Sequence, residues 1–168
     1  MMAMRWPFFR QLRVDKAKLI ALRKIHIVES IFDPWQLQKD FQDKEMQGRT
    51  DYGATASFVG TMRDFNEGDD VHSMELEHYP LMTTKLLNQI VDEAYQKWSM
   101  QNVLVVHRVG EILPAEPIVL VAVWSAHRGA AFDVCRFLME ELKHRAPFWK
   151  KERLETGSSR WVEENTKA

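Results

Sequence analysis

The chain has 168 residues, of which 45% are hydrophobic, and its formal net charge at pH 7 is −1. This length and composition predict one domain with a sizeable hydrophobic core, and they exclude an intrinsically disordered chain. A membrane-spanning protein is also excluded, because no apolar run approaches the roughly 20 residues that a spanning helix needs.

The charge is unevenly distributed along the sequence. Residues 1–24 contain seven lysines and arginines against one aspartate, a net charge of +6, so the other 144 residues together carry −7. We interpret this basic segment as an extension outside the core fold, which then comprises residues 25–168; a targeting peptide or a misassigned start are alternatives. The acidic body lacks the broad basic face that general nucleic-acid binding requires.

The first half of the core predicts two strands around a short helix, then a third strand. Ile25–Phe32 alternates apolar and polar residues like a half-buried strand, and residues 34–41 form a helix opened by proline. Gly53–Met62 is a strand whose two glycines permit a bulge or a close backbone approach. Residues 63–70 read as a polar turn that leads into the strand Val71–Tyr79, an exposed strand with the potential to pair with another chain.

The second half contains the strongest helical periodicity. Pro80–Trp98 is an amphipathic helix, and Asn102–Val109 is the next strand. A turn region over residues 110–117 leads to Ile118–Trp124, whose almost wholly apolar composition is typical of a central strand. His127–Arg145 is the second long helix, and the sequence from Lys150 onward reads as a polar tail.

The single cysteine, Cys135, lies within this last helix. One cysteine excludes intrachain disulfides and cysteine-based metal sites. A helical cysteine between Val134 and Arg136 is more often a small buried hydrophobic residue than a reactive thiol. This usage is typical of the reducing cytoplasm, where we expect the protein to reside.

The segment Leu142–Glu152 concentrates four lysines and arginines around a proline and two aromatic residues. Pro147 disfavours helix in the residue before it, so Lys143 and Lys150 should come from different elements and converge on a bound anion. The alternative is a basic helix end, where cations complement the helix dipole.

A second candidate anion site lies at the start of the last helix. Ser125–Arg128 joins the central strand to that helix, and a helix start exposes unpaired N–H groups. His127 and Arg128 would complete the site, unless Ser125 merely caps the helix and Arg128 stays in solvent. Arg63 would add a third cation, although a surface turn is the commoner place for such an arginine.

Other chemistries find little support in the sequence. It has no glycine-rich phosphate loop, so a nucleotide cofactor is not indicated, and the histidine spacing does not suit a metal. The Gly-x-Ser-x-Gly turn of many hydrolases is also missing.

These motifs, in this order, resemble the large, catalytic subunit of molybdopterin synthase (the MoaE family). The resemblance extends from about Ile25 to Val162 and rests on four segments: Phe58-x-Gly60-x-x-Arg63, Leu76–Tyr79, Ser125–Arg128 and Leu142–Glu152. It implies an α+β fold of the hammerhead type, with mostly antiparallel strands and two long helices.

The resemblance also implies an activity. The family is a sulfurtransferase of molybdenum cofactor biosynthesis that converts cyclic pyranopterin monophosphate to molybdopterin, the dithiolene-bearing product. Sulfur comes from a thiocarboxylate on the C-terminal glycine of a small ubiquitin-like partner, so the enzyme needs neither a reactive cysteine nor a cofactor. A homodimer with one small partner at each end, a heterotetramer, is implied as well.

By the same resemblance, Lys143 and Lys150 are the catalytic residues. Lys143 would stabilise the oxyanion formed at the thiocarboxylate and transfer protons. The substrate-binding residues would include both lysines and seven others: Thr61, Met62, Arg63, His127, Arg128, Lys151 and Glu152. The rival hypothesis is a non-catalytic module that binds a phosphorylated ligand or a partner's tail. A nucleic-acid-binding domain is a third hypothesis, which the acidic body disfavours.

Overall fold

The computed structural model describes residues 25–162. The proposed basic extension, residues 1–24, lies outside this part of the chain, as do residues 163–168. The elements, in chain order, are β1 (Ile25–Val28), α1 (Pro34–Glu45), β2 (Ala54–Thr61), β3 (Phe65–Asn66), β4 (Asp69–His78), α2 (Pro80–Lys97), β5 (Asn102–Arg108), β6 (Gly110–Ile112), β7 (Pro117–Ser125), α3 (Arg128–Arg145), β8 (Phe148–Leu154) and β9 (Ser159–Trp161).

The first sheet has the strand order β1-β5-β7-β2 and is covered on both faces. Helices α2 and α3 pack on one face, against side chains such as Val121 and Val123, whereas α1 packs on the other, against Leu120 and Trp124. Because both faces are covered, β7 is apolar along nearly its whole length. The prediction of a central strand at this position is confirmed.

The second sheet is built around β4. This strand pairs with β3 and β6 on one side and with β8 on the other, and β8 in turn pairs with β9. A smaller core fills the inner face of this sheet: Met62, Val71, Met74, Leu76 and Ile112. Since both edges of β4 are occupied, the expectation that it pairs with another chain is wrong.

The predicted α+β fold, with mostly antiparallel strands and two long helices, is confirmed. Among the strands of residues 25–162, only β1 and β5 pair in parallel, and α2 and α3 each have 18 residues. Gly53, just before β2, allows the anticipated close backbone approach, because a Cβ there would lie 2.8 Å from the Ala126 carbonyl oxygen. The register of β2 also shifts between Gly60 and Thr61.

Three segments that were expected to be turns or a polar tail contain strands. The predicted turn over residues 110–117 contains β6. The supposed turn over residues 63–70 contains the β3–β4 hairpin, whose tip residues Glu67 and Gly68 both have positive φ, as a tight hairpin turn requires. The supposed polar tail forms β8 and β9. Here the pairing with β4 determines the conformation more than side-chain hydrophobicity does.

Candidate active site

The segment around Pro147 connects α3 to β8. Helix α3 ends at Arg145, Ala146 adopts an extended conformation as its C-cap, and β8 begins at Phe148. Lys143 therefore belongs to the last turn of a helix and Lys150 to a strand, as the proline predicted. Arg145 points elsewhere, because its guanidinium pairs with Glu93 at 2.8 Å and with Glu141 at 2.6 Å.

Lys150 projects from the inner face of the second sheet. It lies opposite Leu76 in the antiparallel register, and Leu76 belongs to the small core of that sheet. Phe148 and Leu154, which share its parity along β8, pack against the same core. The Lys150 side chain therefore extends past apolar residues of this core and is half-buried.

Charged neighbours from several elements act on this ammonium group. Burial is the main cause that lowers the pKa of Lys150 below its ordinary value, and the positive charges of Lys143 and Arg63 lower it further. The carboxylates of Glu152 and Glu67 act in the opposite direction. Three cations from α3, β8 and the loop after β2 therefore converge, which is an arrangement suited to binding an anion or stabilising a developing oxyanion.

Glu152 is held in a buried network of hydrogen bonds. Only 4% of it is exposed, although it is a carboxylate. One carboxylate oxygen accepts from Asn66 Nδ2 at 2.8 Å, and the other accepts from Arg160 Nε at 3.1 Å. Neither Asn66 nor Arg160 was a candidate from sequence, since no local pattern links β3 and β9 to β8.

Lys151 lies on the opposite face of β8 from Lys150. It is paired in register with Glu75, and its ammonium nitrogen lies 5.5 Å from the centroid of the Trp161 ring. A polar cavity of about 250 Å³ opens on this part of the second sheet. Its lining consists of Ser73, Glu75, Glu111, Lys151, Glu152, Arg153 and Ser159. Neither Lys143 nor Lys150 lines it, so we place the candidate site at the three converging cations.

The end of β2 contributes Thr61, Met62 and Arg63. Thr61 pairs with Pro117, which places all three residues at the start of β7. The Met62 N–H donates to the Glu116 carbonyl at 3.0 Å, and the Met62 carbonyl accepts from the Ala115 N–H at 2.8 Å. The backbone of Met62 therefore anchors the loop before β7, whereas Arg63 lies 4.9 Å from the centroid of the exposed Phe65 ring.

His127 and Arg128 lie at the N-terminal end of α3, the end opposite to Lys143. Lys143 follows Arg128 by 15 residues in one continuous helix. At about 1.5 Å per residue, the two are separated by about 22 Å along the helix axis. The register agrees, because Ser125 pairs with Ala54 while Thr61 lies at the other end of β2. The expectation of a single pocket formed by all these cations is therefore wrong within one chain.

A buried histidine beneath β8 also escaped the sequence analysis. The His107 ring stacks on Phe148 with centroids 3.9 Å apart, and its Nδ1 lies 2.8 Å from the Arg108 carbonyl oxygen. Burial lowers the pKa of His107 to about 4. The His107 ring is therefore neutral at pH 7 and packs against Phe148, the first residue of β8. Nothing near His107 in the sequence indicated this contact.

Residues 25–162 contain no group of three or more histidines, cysteines and acidic residues that would hold a metal ion. Within that range, no helix is both long and apolar enough to cross a membrane.

The sequence profile of a family described as "MoaE protein" matches residues 29–145. The molybdopterin synthase catalytic subunit of Ralstonia nicotianae is 57% identical over 116 residues, which span 69% of this chain and 65% of that protein. The corresponding subunit of Pseudomonas aeruginosa is 48% identical over 139 residues, 83% of this chain and 89% of that protein. The solved structure of molybdopterin synthase from Staphylococcus aureus superimposes with a TM-score of 0.74 at 30% identity, covering 86% of this chain and 100% of that one.

Proposed function

Because this chain belongs to the MoaE protein family, we propose that it is the catalytic subunit of a molybdopterin synthase. Its reaction is the conversion of cyclic pyranopterin monophosphate to molybdopterin, with sulfur taken from the thiocarboxylate of a small ubiquitin-like partner. Residues from Ile25 onward form the synthase domain, and the matched profile lies within this range.

The position of Lys150 carries this proposal: its ammonium group feels the positive charges of Lys143 and Arg63, and Phe148 on its strand packs in the same small core as Met62, the neighbour of Arg63. The thiocarboxylate sulfur forms a C–S bond to the pterin and displaces an oxygen substituent, which leaves the partner joined to the pterin as a thioester. Water then attacks the acyl carbon through a tetrahedral oxyanion: the acyl C–S bond breaks, the partner leaves as a carboxylate and the sulfur stays on the pterin. An ammonium group beside that carbon stabilises the oxyanion more than it stabilises the ground state. Lys143 and Lys150 fill this role, and Arg63 is placed to bind the cyclic phosphate as a charged donor.

The cysteine chemistry is consistent with sulfur that arrives on a partner. Cys135 is buried, and burial raises the pKa of its thiol to about 11. A thiol with so high a pKa is almost entirely protonated at neutral pH, and the thiol form is a poor nucleophile. Sulfur transfer in this protein therefore requires an external sulfur donor.

The separation of His127 and Arg128 from the lysines supports a site shared between two copies. Strand β2 is an edge of the first sheet, with Phe58 44% exposed along it. If two copies pair β2 against β2 about a twofold axis, the Thr61 end of one strand meets the Ala54 end of the other. Ala54 is paired with Ser125, so His127 and Arg128 of the second copy would approach Arg63 of the first.

Reconstitution tests the proposal. The purified chain is incubated with the pterin precursor and a small partner carrying a C-terminal thiocarboxylate, and the pterin is analysed by mass spectrometry. We expect a product with two additional sulfur atoms and a partner converted to its carboxylate. A chain that binds both components without sulfur transfer would instead be the non-catalytic binding module.

A further inference from the structure

Arg160 links four segments of the second sheet through one guanidinium group. Its Nε donates to Glu152 at 3.1 Å, its Nη1 to Asp69 at 2.6 Å, and its Nη2 to the Asn66 carbonyl at 2.9 Å. These partners lie on β8, β4 and β3, while Arg160 itself lies on β9. Glu67, at the hairpin tip, is 3.8 Å away. Such planar, multiple donation fixes a geometry that a single lysine ammonium cannot reproduce.

The network ties the elements that carry the site's cations. Asn66 binds Glu152 through its side chain and Arg160 through its carbonyl, so the β3–β4 hairpin is fastened directly both to β8 and to β9. Arg63 enters this hairpin three residues before Asn66, and Lys150 lies two residues before Glu152 on the same face of β8. The relative position of Arg63 and Lys150 therefore depends on this network.

The network also determines where the charge of Glu152 acts. A buried carboxylate is stabilised by a cation, and Lys150, two residues away on the same face of β8, feels the charge of Glu152 and can compete with Arg160 for that role. Arg160 occupies one oxygen of Glu152 and Asn66 the other, yet the charge of Glu152 still acts on the Lys150 ammonium more strongly than the charges of Lys143, Arg63 and Glu67 do. Without the guanidinium, Lys150 would be drawn back toward Glu152 and away from a bound substrate.

We propose that Arg160 is a positioning residue of the active site: it holds Glu152 and the β3–β4 hairpin so that Lys150 and Arg63 face the same substrate, and it prevents Glu152 from capturing the Lys150 ammonium. This inference rests on the proposed function of the site. It gives Glu152 a structural and electrostatic role in place of direct contact with substrate.

A titration of Lys150 tests the electrostatic half of the inference without any need for activity. The chain is labelled with ¹³C at lysine Cε, and the Lys150 signal is assigned by its loss in Lys150→Arg. Arg160→Gln frees the Glu152 charge, so the pKa of Lys150 should rise by on the order of one unit, whereas Glu152→Gln should lower it. The matched control is Arg153→Gln, an exposed arginine on the other face of β8, which should leave the titration unchanged.

Opposite shifts in the two variants are the result that a merely structural network would not give. Shifts in the same direction, or none in either folded variant, would overturn the inference. If Arg160→Gln does not fold, Arg160→Lys serves instead: it keeps the charge beside Glu152 but loses the simultaneous contacts with Asp69 and Asn66. In that variant we expect an almost unchanged Lys150 pKa with turnover reduced at least about tenfold, and full turnover would refute the positioning role. If the wild-type chain makes no product, the proposed function fails while the titration still decides this inference.

Discussion

A heterodimer of two inactive variants tests whether the site is shared between copies. Lys143→Ala removes the charge that we propose stabilises the oxyanion, and it should lower turnover by about 10²–10³-fold. Arg128→Ala removes a charged hydrogen-bond donor that is proposed to bind the substrate. The binding free energy of the substrate should weaken by about 1.5–3 kcal/mol. In the proposed homodimer, either variant alone is then defective at both sites.

The magnitude expected of the heterodimer follows from the length of α3. Because Lys143 and Arg128 are about 22 Å apart along one helix, a site that uses both must take them from different copies. A dimer with one copy of each variant has one site that lacks both groups and one site that lacks neither. We therefore expect about half of the wild-type activity, as twofold symmetry requires.

The assay uses differently tagged copies, co-expressed and purified through both tags, with product measured at subsaturating pterin. The matched control pairs Lys143→Ala with Lys150→Ala. In the proposal both lysines of a site come from one copy, so each site of this heterodimer lacks one lysine. The shared site would be refuted if the dimer of Lys143→Ala with Arg128→Ala were no more active than the homodimers of either variant.

Two further predictions concern stability. The pKa of buried His107 is lowered to about 4 in the folded chain, so the unfolded chain binds more protons between pH 6.5 and 4. The free energy of unfolding should therefore fall by about 2 kcal/mol as the pH is lowered from 7.5 to 5. Urea unfolding should show this loss in the wild type and not in His107→Gln, which cannot titrate. The buried Arg108 guanidinium pairs with Glu116 at 2.7 Å, and Glu116→Gln should cost about 3 kcal/mol because a buried charge loses its partner. The exposed Asp92→Asn is the control for the second experiment, and equal unfolding free energies in the two variants would contradict the reasoning.

The sequence predicted those parts of the fold in which burial follows local pattern. The apolar run of β7 indicated a central strand, and the helical pattern over residues 127–145 indicated α3, in which Ala131, Val134, Leu138 and Leu142 are buried. Pro147 likewise predicted that Lys143 and Lys150 belong to different elements. In each case a few neighbouring residues contain the whole physical reason.

The remaining features depend on contacts between distant segments. Lys150 and Glu152 lie on the inner face of β8, where apolar residues are usual. Glu152 is tolerated there because Arg160 and Asn66 bind it. Nothing near Glu152 in the sequence indicates these partners. The predicted single pocket is wrong for a different reason: Arg128 and Lys143 are separated by about 22 Å along α3.

The central claim is that Lys143 is required for turnover and not for assembly. The most direct measurement compares wild type and Lys143→Ala in one experiment, with affinity for the thiocarboxylated partner and product formed per site determined on the same samples. We predict unchanged partner affinity and a loss of product formation of about 10²-fold or more. Wild-type turnover in Lys143→Ala would contradict the assignment of the active site.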